Sequence, residues 1–251
     1  MLSVDKVTYK YPGDSIETVK DLSFGVKKGE FVSLIGVSGC GKSTIFRLIN
    51  RLLVPQQGSI KVNGTDICSQ RRYCGYMPQN DLLFPWRTVA ANLMLPLEID
   101  GERDKACRLR KACDMLEEVG LKGSENKFPH ELSGGMRQRA AFGRTALCGG
   151  ELMLLDEPFS ALDFLTRISM QEWLLEQWRH QQKTILFITH DVDEAIFLSS
   201  RILVVESTPI SKLLEVEIPL PYPRSRDMLI LPEMVRIREK LIKTLREQVA
   251  Q

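Results

Sequence analysis

Gly36-Val37-Ser38-Gly39-Cys40-Gly41-Lys42-Ser43-Thr44 is the stretch on which the reading of this chain turns. Ahead of it, Phe31-Val32-Ser33-Leu34-Ile35 is apolar but for one serine and reads as a buried parallel strand. Behind it, residues 45–53 carry apolar side chains at helical spacing. The glycines therefore lie where a strand turns into a helix, the context that gives such a pattern a mechanism. Glycine lets the backbone wrap until its N–H groups converge on phosphate oxygens, and the helix N-terminus adds its positive end. On this reading Gly36, Ser38, Gly39, Cys40, Gly41 and Thr44 frame the phosphates. Lys42 reaches the outer phosphates as a point charge, and the Ser43 hydroxyl ligates a magnesium ion. The competing reading is a glycine-rich turn that caps a helix. The flanks favour a site for a nucleoside triphosphate.

Working outward, residues 2–9 and 22–26 alternate apolar and polar like half-exposed antiparallel strands, with Tyr11-Pro12-Gly13-Asp14 turning between them. Residues 58–64 read as a strand entering an Asn63-Gly64 hairpin, and residues 73–77 as a short strand closed by Pro78, with Gln79 next. From Leu82 to about Leu147 the character is helical. One helix is expected over 104–119, ended by Gly120, and another over 133–147, begun by Ser133. Residues 152–155 form an apolar strand that delivers Asp156 at its C-terminal end, where open α/β sheets place their ligands. Asp156 suits the same magnesium ion as Ser43, because a hard cation takes oxygen ligands. Glu157 points another way and can deprotonate an attacking water. A long helix through Trp173 and Trp178 follows, then a buried strand over 184–188 that ends at Thr189-His190. Strands over 201–206 and 213–218, a proline-rich connector from Pro219 to Arg224 and an amphipathic helix bearing Met234, Ile237, Leu241 and Leu245 complete the chain.

Composition narrows the function classes. With 34 basic and 32 acidic residues the net charge is +2, so no strong field points to nucleic acid. Six cysteines include no CxxC pair, which argues against a metal framework or disulfide scaffold and fits a reducing compartment. The first residues lack a charged lead before an apolar core, so no secretory leader is expected, and no apolar run approaches the ~20 residues of a membrane helix. Any membrane role is expected to come through a partner.

Leu132-Ser133-Gly134-Gly135-Met136-Arg137-Gln138-Arg139 opens a helix with a serine and two glycines, either an ordinary cap or a bare set of N–H groups for an anion. With this stretch the chain resembles the ATP-binding cassette (ABC) proteins, whose signature sequence lies between the two Walker motifs. The other family motifs follow in order. Tyr11 matches the aromatic that stacks on adenine, Gln79 the Q-loop glutamine, Ser160-Ala161-Leu162-Asp163 the D-loop and His190 the switch histidine. The resemblance implies an α/β fold: a P-loop NTPase cassette with a doubly wound core, an antiparallel β subdomain and a helical subdomain over about 82–147. The cassette is expected over 1–218, and a connector with a C-terminal helix over 219–251. It also implies an ATPase in which two copies sandwich two ATP molecules. Ser133, Gly134 and Gly135 of one copy then bind the γ-phosphate held by the other, His190 contacts that phosphate in its own copy, and Gln79 touches the magnesium or the water. The family's commonest signature has glutamine where Met136 stands, while the Ser-Gly-Gly backbone contacts remain available.

Within the family the chain is most similar to importer ATPases of the nitrate, sulfonate and taurine type, through residues 83–89, the signature stretch and the Pro/Arg-rich tail after Ile218. The C-terminal regulatory domain of sugar-importer ATPases is expected to be absent. The implied partners are an integral-membrane permease, a second cassette and, indirectly, an extracytoplasmic solute-binding protein, with the chain at the cytoplasmic face of the membrane. Two other readings stay open, the cytosolic half of an exporter and a non-transport cassette protein acting on DNA or ribosomes. Phe84-Pro85-Trp86 either folds into the core or anchors the permease, where tryptophan is enriched among interface hot spots. Trp173 and Trp178 read as helix-packing residues, His130 as a loop residue and His180 as a solvated helix end.

Overall fold

The computed structural model of the chain describes residues 1–249. In chain order it forms β1 (Leu2–Tyr9), β2 (Val19–Val26), β3 (Phe31–Ile35), α1 (Lys42–Ile49), β4 (Gln57–Val62), β5 (Thr65–Asp66), β6 (Cys74–Met77), α2 (Val89–Ile99), α3 (Lys105–Glu118) and α4 (Gly134–Ala146). Then come β7 (Leu152–Asp156), α5 (Phe164–Gln181), β8 (Thr184–Ile188), α6 (Val192–Leu198), β9 (Arg201–Val205), β10 (Leu213–Glu217) and α7 (Pro232–Val249). The chain divides into two compact units, Met1–Arg71 with Gln181–Gln251, and Arg72–His180.

The first unit contains an antiparallel sheet in the order β2-β1-β4-β5. Along β1 the buried residues are Leu2 and Val4, then Val7 and Tyr9, so the alternation changes parity midway. The cause is an extra residue: pairing with β4 slips between Asp5 and Thr8, and Lys6 takes a positive φ of 47°. Opposite the slip, Gly58 has φ 85°, and a Cβ there would fall 2.3 Å from the Lys6 carbonyl oxygen, so no other residue fits.

In the same unit β3 lies between β8 and β9, parallel to both, and β10 runs antiparallel on β9. All five residues of β3 are buried, as a parallel strand covered on both faces requires. Ser33, the one polar interruption, is satisfied by the Ser199 hydroxyl just past α6. Arg201 at the start of β9 reaches three acceptors: the Glu30 carboxylate at 2.9 Å, Glu215 at 2.5 Å and the Gly25 carbonyl at 2.8 Å. The loop of residues 36–41 is thus the outlet of a strand fixed on both edges.

In the second unit β6 and β7 pair in parallel, and α2, α3 and α4 pack on one another. The sequence places α3 and α4 within a residue or two, through their caps: Asp104 accepts from Ala106 N–H at 2.9 Å, and Ser133 accepts from Met136 N–H at 3.3 Å. It resolves α2 only as part of a helical region. That helix is apolar nearly all round and contains Pro96, so neither a stripe nor a clean stop marks it. Trp173 packs edge-on against Phe142 with ring centres 5.3 Å apart, and Trp178 is buried, as their packing role requires. No helix among the described residues is long and apolar enough to cross a membrane.

Candidate functional site

The first unit carries the glycine-rich loop. It leaves the buried end of β3 and enters α1, which begins at Lys42, three residues before the apolar run suggests. Gly41 occupies the N-cap position in the left-handed region (φ 105°), where a Cβ would fall 2.8 Å from the Thr18 methyl, and no side chain caps the helix. The first-turn N–H groups of α1 therefore face the loop without a side-chain acceptor from the cap, an arrangement suited to an anion. Lys42 is 7% exposed, and its ammonium turns back over the loop to donate to the Gly36 and Val37 carbonyls at 2.9 and 2.8 Å. Its charge is thereby held against the loop backbone. Ser43 is half-buried in the first turn, Cys40 is buried, and Ser38 and Gly39 are exposed at the tip.

Tyr11 lies beside this helix. Its hydroxyl is hydrogen-bonded to that of Thr44 at 3.1 Å, and its ring meets Tyr9 edge-on with centres 5.0 Å apart. His190, also in this unit, is exposed just beyond β8. The next residue, Asp191, caps α6 by accepting from Asp193 and Glu194 N–H at 2.9 and 3.1 Å. A recess of about 300 Å³ opens beside the loop, with Val37, Cys40, Val205 and Gln248 in its wall.

The second unit carries the carboxylates. Every residue of β7 is buried, and Asp156 at its end is 3% exposed. Glu157 follows at φ 49°, a left-handed conformation uncommon for a side chain with a Cβ, which turns the chain sharply off the strand. Gln79 donates to the Glu157 carboxylate at 3.3 Å, so the two residues are in contact.

Gln138 was not singled out from the sequence. It is 4% exposed, donates to the Glu157 carbonyl and the Ser160 hydroxyl, both at 3.2 Å, and accepts from Ala161 N–H at 2.7 Å. It thereby ties α4 to the backbone on both sides of Pro158-Phe159. Its spacing with Ala141 and Thr145, both buried, was the available signal: a polar residue on an apolar helix face must have a partner. Ser133 caps α4 and is exposed with Gly134, while Gly135 approaches the Ala161 carbonyl. Asp163 is exposed and accepts from Thr166 N–H at 3.0 Å; the Thr166 side chain first, and then that N–H, draw its carboxyl below the usual carboxylate range.

The loop after Gln79 is fastened by α4 and α2. Arg144 donates to the Asp81 and Leu82 carbonyls, both at 2.7 Å, and Arg137 pairs with the Asp81 carboxylate at 3.1 Å. Asn92, fully buried, accepts from Phe84 N–H at 2.8 Å and donates to the Phe84, Arg87 and Thr88 carbonyls. On this fixed base Trp86 is 72% exposed. His130 stacks on Phe128, and His180 is exposed 3.9 Å from Glu176.

A family model described as "ABC transporter" matches residues 19–160. The chain is 43% identical to the formylaminopyrimidine import ATP-binding protein ThiZ of Halalkalibacterium halodurans, over 87% of this chain and 85% of that one. It is 40% identical to the aliphatic sulfonates import ATP-binding protein SsuB of Bacillus licheniformis, over 90% of this chain and 86% of that one. Among solved structures it is similar to a dimeric ATP-binding cassette in a post-hydrolysis state bound to ADP and phosphate, with a TM-score of 0.81 and 27% identity over 88% of this chain and all of that one.

Proposed function

The chain belongs to the ABC transporter family, and from that premise we propose how its residues divide the work. It is the ATP-hydrolysing subunit of an ABC importer, coupling conversion of ATP and water to ADP and phosphate to the movement of solute through a separate membrane permease. The observation that carries the assignment of roles is the uncapped start of α1 with the Lys42 ammonium folded over it.

ATP lies with its phosphates on the N–H groups of residues 36–44 and its outer phosphates at Lys42, and Tyr11 stacks on the base. The donor set for magnesium fits a hard cation. Ser43 offers a hydroxyl, Gln79 an amide oxygen and Asp156 a carboxylate delivered by an apolar strand. When bound, the ion neutralises charge on the β- and γ-phosphates. Glu157 accepts the proton of the attacking water, and Gln79, in contact with its carboxylate, helps orient it. His190 contacts the γ-phosphate in its own copy. Ser133, Gly134 and Gly135 close over the nucleotide of a second copy, with Asp163 at that junction. The likeness to a dimeric cassette supports two copies acting together. The permease anchors at Trp86, and an extracytoplasmic binding protein delivers a small solute to it, with this chain on the cytoplasmic face. The relatives' import names favour this over an exporter half or a cassette acting on DNA or ribosomes.

Glu157→Gln tests the chemistry. It should keep ATP affinity, lower hydrolysis by about a hundredfold or more and accumulate an ATP-bound dimer. Lys42→Ala should instead weaken nucleotide binding itself. Hydrolysis by Glu157→Gln near the wild-type rate would overturn the general-base role.

A further inference from the structure

Helix α6 begins two residues after His190, and the chain after β10 grips it at both ends. At its C-terminal end Arg224, 8% exposed, donates to the Ile196, Phe197 and Ser199 carbonyls at 2.9, 3.0 and 2.9 Å. The Tyr222 hydroxyl donates to the Leu198 carbonyl at 2.9 Å, and the Arg226 guanidinium lies 4.7 Å above the Phe197 ring. These are the carbonyls a helix end leaves without intrahelical donors, met by a cation that also complements the helix dipole. At the N-terminal end Arg238 of α7 pairs with Asp193, whose own N–H is held by the cap Asp191. A seven-residue helix has little stability of its own, so its placement comes from such contacts.

We propose that the segment from Leu220 to Arg238 is a clamp on α6 that holds His190 in place for hydrolysis, with Arg224 and Arg238 as positioning residues. The proposal rests on the reading of His190 as the γ-phosphate contact. The pair restrains the first turn, the cap residue held through it and so the histidine joined to that cap. Positional errors near 1 Å at a reacting group are costly in rate. The phosphate loop is not held by these contacts, so nucleotide affinity should not depend on them.

The experiment measures ATP hydrolysis and nucleotide affinity of the full chain in Arg238→Ala, Arg238→Lys, His190→Ala and the double variant His190→Ala/Arg238→Ala, with Arg224→Lys as a second probe of the clamp. Rates are normalised to the protein that binds nucleotide, which removes any unfolded fraction. The expected result is a kcat about tenfold lower for Arg238→Ala at unchanged affinity. Arg238→Lys should recover most of it, and the double variant should be no slower than His190→Ala alone. Additive losses in the double variant, or a wild-type kcat in folded Arg238→Ala, would overturn the clamp while leaving the role of His190 intact. A wild-type rate in His190→Ala would overturn both.

Discussion

On the proposal that Glu157 is the general base, Gln138 is a side chain that positions it without touching the reactants. Its amide holds the backbone at Glu157 and Ala161, so it fixes the exit from β7 at the point where Glu157 adopts its left-handed turn. Gln138→Leu keeps the size but leaves the Ala161 N–H and the Glu157 carbonyl without that partner, at a cost of about 1–3 kcal/mol for the buried groups. The expected outcome is a lower kcat with nucleotide affinity preserved, read by steady-state kinetics beside equilibrium nucleotide binding. The stacking proposed for Tyr11 would be worth about 1–3 kcal/mol whatever the base. Tyr11→Ala should therefore weaken ATP and GTP alike, whereas Tyr11→Phe loses only the bond to Thr44 and should change both far less. Equal nucleotide affinities for the wild type and Tyr11→Ala would show that the ring serves packing alone. The placement of Lys42 at a helix start and of Asp156 and Glu157 at a strand end is legible in the sequence, because local chain geometry dictates it. Gln138 was not, because its partners lie 19 to 23 positions away and only the fold brings them together.

The stretch from Gln79 to α2 illustrates the same divide for longer pieces of chain. A proline between two bulky aromatics, Phe84 and Trp86, announced a loop but left open whether the tryptophan turned inward. Asn92 decides it: by satisfying Phe84, Arg87 and Thr88 it draws the loop backbone onto α2 and leaves the indole outside. Trp86→Ala should therefore leave the melting temperature unchanged and weaken capture of the permease. Loss of an aromatic anchor worth about 2 kcal/mol corresponds to roughly thirtyfold in affinity. A fall in melting temperature with normal permease capture would place the tryptophan's role in folding instead. Where caps and stripes coincide, as in α3, the sequence is enough. Helix α6 has a cap in Asp191 but no room for a stripe, since seven residues span barely two turns and much of what holds them comes from the tail.

Arg201 joins three separate pieces of its unit: the Glu30 turn before β3, Glu215 on β10 and the Gly25 carbonyl on β2. Its side chain and that of Glu30 are 14% and 13% exposed, so removing one partner strands a largely buried charge. Arg201→Ala should destabilise the protein by about 3 kcal/mol, visible as a lower midpoint in chemical denaturation. The shift to helical character near residue 82 anticipates α2, α3 and α4; that residues from 181 onward complete the unit begun at the N-terminus is not legible, because no local pattern records which distant strands will flank β3. That discontinuity has a consequence in time. Phe31 pairs with Ile185, so at about 5–20 residues per second the ribosome needs roughly 8–30 s to supply the partner strand. Over that interval residues 72–180 emerge in turn, while β3, apolar but for Ser33, has neither neighbour yet made. Nascent chains halted before Val205 should accordingly surrender residues 31–44 to brief proteolysis and keep 72–180, and the yield of this protein should depend on the chaperones waiting at the exit tunnel.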